Sequence, residues 1–444
     1  MANLHTSSIS RRDVLRWGAA LTAAAPALTA CTGMSTSGVS GDGPRMVTTQ
    51  FTPVDESRNL RAILGKAYPG VSLVLGDASQ LGTQIRSQAD SGTMKFDLIA
   101  GLHGDFAQLG PEYLTDVSGL MRDLDGSGIA PTFKELAGLG TGKSWYVPWC
   151  QAAYVIAARK SMLEHLPRGA DVNALTYEQY LDWAIAARRA HGNKPQFGLP
   201  VGPEGLVNRF VQGHLYPSFT GAGVTRFRGD DAVVMWKYLK ELWANTVPSS
   251  TGYDFMQEPL ASGEVSVAWD HVSRLVRAPA DSPDDWVMAP CPSGPAGRGY
   301  MAVLLGLGIP KGAPDPKQAQ DVIRAMSDPG VQIDLLRKNS FFPVVKAELP
   351  RSLPPAIRLE ADAVEAQQGD TRSILSLPPV GLGQRDGEMS KIYRDAFTAI
   401  VLEGADIRRT LDAEAKNMQR ILDEAKVPCW APDPVEDGAL CRVG

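Results

Sequence analysis

From residue 45 onward, apolar positions recur in short β-branched runs separated by stretches with helical spacing. Arg45 to Phe51 forms such a run. Leu60, Ile63, Leu64 and Ala67 then fall at i, i+3, i+4 and i+7, predicting one buried helix face. Tyr68-Pro69-Gly70 ends that helix, and Val71–Leu75 and Phe96–Ala100 are two further strands. Strand, helix, strand, helix, strand in this order predicts a parallel sheet covered by helices. The middle of the chain is helical, with segments near Tyr177–Ala190 and Asp230–Trp243. A Pro/Gly-rich run, APCPSGPAGRG before Tyr300, suits a crossing between domains, and Tyr300–Ile309 is expected as one apolar strand. Asp315-Pro316 supplies the N-cap and first position of another helix. A last helix is expected over Thr410–Ala425, with Leu411, Ala415, Met418, Ile421 and Leu422 on one stripe.

The N-terminus departs from this pattern. Arg11-Arg12 precedes an alanine-rich apolar run, Trp17–Ala30, that is shorter than the ~20 residues of a bilayer-spanning helix. Small residues lead to Leu28-Thr29-Ala30-Cys31, so residues 1–30 are an export signal, twin-arginine-like, closed by a lipobox. Cys31 is the expected lipidation site, residues 31–44 a Gly/Ser-rich tether, and the location the cell envelope outside the cytoplasm, anchored to the membrane by lipid.

Composition adds mainly exclusions. The 444 residues are 44% hydrophobic and 21% charged, with net charge -5 and no basic domain, which argues against a nucleic-acid partner. Apart from Cys31, four cysteines remain, and they allow three connectivities. Cys429 and Cys441 bracket a Pro-rich tail that has little other means of ordering itself, which favours a bridge there. Cys150 and Cys291 either form a second bridge or are buried free thiols. No CxxC occurs and the six histidines are scattered, so neither a metal nor another cofactor is expected.

Two motifs imitate chemistry. Ala137–Ser144 fits a permissive phosphate-loop pattern, but the residues after it look like strand where that loop needs a helix. Asp123–Gly128 resembles the opening of a calcium loop, yet the twelfth position is Lys134 where a bidentate glutamate is required. GxSxG and HExxH are absent from the sequence.

The order of segments resembles the extracellular solute-binding proteins of bacterial ABC importers, in their carbohydrate-binding group. Pro69-Gly70-Val71 resembles that family's first helix-to-strand passage, and Phe96–Ile99 its third strand. Lys143–Pro148 resembles its hinge strand and Thr176–Tyr180 a characteristic helix start. Leu260–Ala268, Gly308-Ile309-Pro310 and Phe342-Pro343-Val344 resemble later marks. Glu264 stands where that family usually has lysine, and Tyr177 where it has tryptophan.

The resemblance implies an α/β, two-lobed periplasmic-binding-protein-like fold, each lobe a mixed sheet flanked by helices, joined by hinge strands. Lobe I is expected from 45–148 with 300–345, lobe II from 149–299 with 346–428, and 429–444 as a tail. It implies a non-enzymatic monomer that holds a carbohydrate, either a sugar or an amino sugar, in the interlobe cleft and passes it to permease subunits. A binder of glycerophosphodiesters such as glycerophosphocholine is the alternative, with Arg209, Arg298 or Arg385 as counter-charge. A secreted glycosidase is the alternative of another class. By position, ligand contacts are expected from Gln50, Thr52, Asp77, His103 and Asp105 after the first strands, and from Trp149, Cys150 and Gln151 after the hinge strand. From the second lobe they are expected from Asn208, Gln212, Tyr216, Trp269, Asp270, His271 and Tyr300, with Arg385 in a Gly-rich loop.

Overall fold

The structure, a computed structural model, describes residues 43–51, 54–77, 80–382, 385–435 and 439–444. The signal segment, Cys31, most of the tether and Thr52 lie outside the described residues.

Among the described residues, twelve strands form three sheets. They are β1 (Arg45–Thr48), β2 (Ser72–Leu75), β3 (Leu98–Leu102), β4 (Val147–Ala152), β5 (Tyr154–Arg159), β6 (Phe197–Gly198), β7 (Val267–His271), β8 (Trp286–Ala289), β9 (Arg298–Met301), β10 (Val303–Gly308), β11 (Phe342–Pro343) and β12 (Ser373–Ser376). The first sheet has the order β11-β4-β10-β3-β1-β2, the second β6-β7-β5-β8, and β12 pairs with β9 apart from both. In the first sheet β1 is parallel to β2 and β3, while β10 runs antiparallel to β3 and β4. Parallel strands joined by helices explain the β-branched runs at the start of the sequence, which are buried on both faces.

Two passages between the sheets are one residue long. β4 belongs to the first sheet and β5 to the second, with Ala153 between them. Ala302 likewise separates β9 from β10. The single strand expected over Tyr300–Ile309 is therefore two, divided where the chain changes sheets. Along β5, Tyr154, Ile156 and Ala158 pack with a large core built mainly from helices. Val155 and Ala157 face a separate core shared with Met256, Leu260, Ile357 and Val364.

The helices start where their caps are. The expected helix Tyr177–Ala190 is found with those bounds, opened by a reciprocal capping box between Thr176 and Gln179. Asp315 caps Pro316–Met326 through the Gln318 amide at 2.9 Å. The final helix spans Ile407–Ala425 and begins at its own cap, Asp406. The Gly-rich turn 138–142 follows the helix Pro131–Ala137 and leads toward strand β4, the reverse of a phosphate loop. Asp123 and Asp125 pair with Arg324 and Lys134, so their carboxylates face side-chain cations.

A disulfide joins Cys429 and Cys441, while Cys150 and Cys291 are buried free thiols. The bridged tail delivers Asp433 into a bend at Gly223–Thr225, where its carboxylate accepts from three backbone amides and the Thr225 hydroxyl. Among the described residues no helix is long and apolar enough to cross a membrane.

Candidate functional site

Strands β1 and β3 are parallel, so their C-terminal ends open on the same side of the first sheet, where α/β folds present ligand groups. Thr49 and Gln50 follow β1, and His103, Gly104 and Asp105 follow β3 as the first turn of the helix His103–Leu109. Opposite them stand Tyr154 at the start of β5 and His271 at the end of β7, with Ser273 and Arg274 in the short helix after it. Two compartments meet at Thr49 and Gln50. One, the polar compartment, of about 330 Å³, gathers the polar side chains of His103, Asp105, Gln108, Arg209 and Asp386 among apolar walls that include Leu304, Leu377 and Pro379. The other, of about 190 Å³, is aromatic, lined by Phe51, Tyr154, Phe255, His271 and Phe341 with Glu56 and Arg274.

His103 is placed by glycines in β10. A Cβ on Gly306 would lie 2.2 Å from the Tyr146 ring, and one on Gly308 2.5 Å from Phe106. Without side chains there, the two rings stack with centroids 4.5 Å apart, and the Tyr146 hydroxyl reaches His103 Nδ1 at 2.8 Å. Burial holds that imidazole neutral, with its pKa pushed down to about 4. Asp105 caps its own helix by accepting from the Leu102 amide at 2.8 Å. Its pKa is pushed up to about 6, chiefly by burial, against the Leu102 hydrogen bond and with the negative charge of Asp386 adding to the rise. Asp386 pairs with Arg209 at 3.6 Å.

In the aromatic compartment, Glu56 pairs with Arg274 at 3.2 Å. Burial raises the Glu56 pKa and the arginine opposes the rise. His271 Nδ1 lies 2.8 Å from the Ser273 hydroxyl, and burial, with the Arg274 charge, pushes its pKa down to about 3. The whole presents hydrogen-bonding groups of both kinds beside flat aromatic faces, an arrangement suited to gripping a polyhydroxylated solute.

Of the residues expected from sequence, Gln50, His103, Asp105 and His271 line the compartments, as does Arg209. Others are placed elsewhere. Trp149, Cys150 and Gln151 do not follow the hinge strand but lie within β4, where Trp149 packs on Phe51 and Gln151 accepts from Gln368. Trp269 is stacked on Tyr154 with centroids 5.0 Å apart, behind the compartment wall. Tyr216 stacks on Phe227 and donates to its carbonyl at 2.8 Å, a core role. Asp270 is buried and accepts from the Met256 and His271 amides at 2.6 and 2.7 Å. Asn208 and Gln212 are buried on the helical segment behind Arg209, and Tyr300 is half-buried in β9; none of the three lines either compartment. Asp77 is exposed beyond the edge strand β2. Arg385 is engaged by Glu388 and Glu424, and Arg298 by Asp370 at 3.4 Å.

Sequence reasoning missed Glu56, Arg274, Phe255, Phe341 and Asp386. The first turn after a strand end is a signal that would have found Glu56 and Arg274. A further cavity of about 540 Å³ lies on the outer side, between the helices Val54–Ala67 and Pro329–Asn339, away from these strand ends.

Comparison with known proteins places this geometry in a wider set. A search of curated proteins finds no match. Among solved structures, the chain is similar to maltose-bound MalE3 of T. maritima, at 17% identity and a TM-score of 0.65, covering 85% of this chain and 100% of that one. It is similar to the GacH receptor of Streptomyces glaucescens, solved unliganded and with acarbose, at 15% identity and a TM-score of 0.65, covering 86% and 99%. It is similar to UgpB of Mycobacterium tuberculosis in complex with glycerophosphocholine, at 18% identity and a TM-score of 0.66, covering 87% and 100%. These likenesses establish the two-lobed α/β fold. A family model described as bacterial extracellular solute-binding protein matches residues 53–333, more than half of the sequence, and the chain belongs to that family.

Proposed function

We propose that this chain is the substrate-binding lipoprotein of an ABC transporter. Tethered to the membrane through Cys31, it captures a carbohydrate, sugar or amino sugar, between its lobes and delivers it to the permease. It acts as a monomer, with lobe I drawn from 45–148 and 300–345 and lobe II from 149–299 and 346–428. The observation that carries the reading is the junction at Gln50, where an aromatic compartment adjoins a polar one. Aromatic faces pack against the C–H faces of a pyranose, while Gln50, His103, Asp105 and Arg209 exchange hydrogen bonds with hydroxyls.

The compartments carry three carboxylates, Glu56, Asp105 and Asp386, against two arginines, each already paired with a carboxylate. This balance favours a neutral or amine-bearing solute over an anionic one. A glycerophosphodiester is the second reading, favoured by the aromatic rings, which suit a quaternary ammonium. Thermal-shift screening with neutral sugars, amino sugars and glycerophosphocholine separates them. A sugar or amino sugar is expected to raise the melting temperature, with stabilisation of about 2.7 kcal/mol at a hundredfold excess over Kd. Stabilisation by glycerophosphocholine alone would overturn the carbohydrate reading. Because Asp105 and Asp386 share one compartment, glycoside hydrolysis is tested beside it. Turnover of an aryl glycoside that is lost in Asp105→Asn would replace transport with catalysis.

A further inference from the structure

The ion pair between Glu56 and Arg274 crosses from one lobe to the other. Glu56 stands in the first turn of the helix that follows β1 of the first sheet. Arg274 stands in the helix that follows β7 of the second. Each is held on its own side before they meet. The Asn339 side-chain amide donates to the Glu56 carbonyl at 3.1 Å, and Asn59 in turn holds Asn339 at 3.0 Å. The Arg274 guanidinium lies 4.7 Å from the centre of the Phe255 ring. Beside the pair, the rings of Phe341 and His271 also face each other across the divide, 6.3 Å apart.

We infer that Glu56 and Arg274 form a latch that holds the two lobes closed. Both side chains are largely withdrawn from solvent, at 15% and 24% exposure, so their attraction is weakly screened. Either group alone in the closed cleft is a buried charge without its counter-ion, which penalises closure. In an open form both are hydrated and separate. Pairing and closure are therefore one event. The pair also lines the aromatic compartment, so an occupant of that compartment sits against the latch itself. This deepens the solute-capture reading by naming what fastens the cleft, and it rests on the two-lobed fold rather than on which solute is captured.

Small-angle X-ray scattering of the purified protein without added solute tests the latch. Glu56→Arg and Arg274→Glu should each increase the radius of gyration, and the double swap, which restores an ion pair of reversed polarity, should return it to the wild-type value. Circular dichroism establishes that each variant is folded, and should a reversal unfold the chain, Glu56→Gln and Arg274→Gln give the same comparison. Single variants that scatter as wild type, or a double variant as expanded as the singles, would overturn the latch. A failed sugar screen would leave this result standing, because no solute enters the measurement.

Discussion

Asp105 and His214 mark opposite responses to pH. The Asp105 carboxyl titrates near 6 in the folded chain against an ordinary 3.8. Between those values the folded state binds more protons than the unfolded one, so stability falls as pH rises and stays at the lower level above 6. Asp105→Asn, which keeps an acceptor for the Leu102 amide, should therefore melt higher than wild type at pH 7, with the gap closing toward pH 4. His214 is buried beside Tyr154 and Trp269, and its imidazole titrates near 3 against an ordinary 6.5. There the unfolded state binds the extra proton, so stability is complete above 6.5 and lost as pH falls. Relative to His214→Gln, wild type should lose about 1.4 kcal/mol per pH unit between pH 6 and pH 4, read from denaturant melts. Residues of the site were legible where they directly follow a strand: Gln50, His103 and Asp105 needed only the strand pattern. Trp149, Tyr216 and Trp269 were not, because an aromatic ring, whether in a strand or a helix, serves the core as readily as a ligand. Nothing in the local sequence shows which face it meets.

At the scale of elements, the C-terminal strap combines a covalent tie with a polar one. The disulfide places Asp433 against the amides of Gly223, Val224 and Thr225, donors that a bend would otherwise leave buried and unpaired. Asp433→Ala should cost about 2–3 kcal/mol, as hydrogen bonds to a buried charge do. Replacing Cys429 and Cys441 by serine should cost roughly 3 kcal/mol. In the triple variant the two losses should fall short of their sum, since the bridge acts partly through the aspartate. Full additivity in urea melts would show that the two ties act separately. Helices were the most readable elements. Tyr177–Ala190 and Pro316–Met326 carry their caps in the sequence, whereas the π-helical turns at Val211–Leu215 and Thr398–Leu402 have no comparable local signature. The break at Ala302 was hidden for another reason. Both sheets are buried, so the apolar run continues through the point where the chain leaves one for the other.

For the molecule as a whole, one close approach across the polar compartment leaves little room for a side chain. A Cβ on Gly104 would stand 3.1 Å from the Pro379 carbonyl oxygen, which belongs to the segment after β12 on the opposite wall of the polar compartment. The Gly104 backbone is helical and tolerates a side chain, so Gly104→Val should fold with a melting temperature near wild type. Bulk at that position should nevertheless hold the walls apart and lower affinity at least tenfold for whichever solute stabilises wild type, measured by calorimetry, which is about 1.4 kcal/mol. The overall architecture was readable because strand and helix alternate and because family marks occur in order along the chain. How far each wall advances into the cleft was not, since contacts such as Gly104 with Pro379 join segments remote in sequence.

The one-residue links at Ala153 and Ala302 make chain length itself a constraint. Side chains alternate along β5, Tyr154, Ile156 and Ala158 going to one core and Val155 and Ala157 to the other. One extra residue at Ala153 would exchange those two sets, driving tyrosine and isoleucine into space shaped for valine and alanine. Surface loops in general tolerate added or lost residues, but here an insertion or deletion of even one codon triplet is a frameshift of faces rather than a change of spacing.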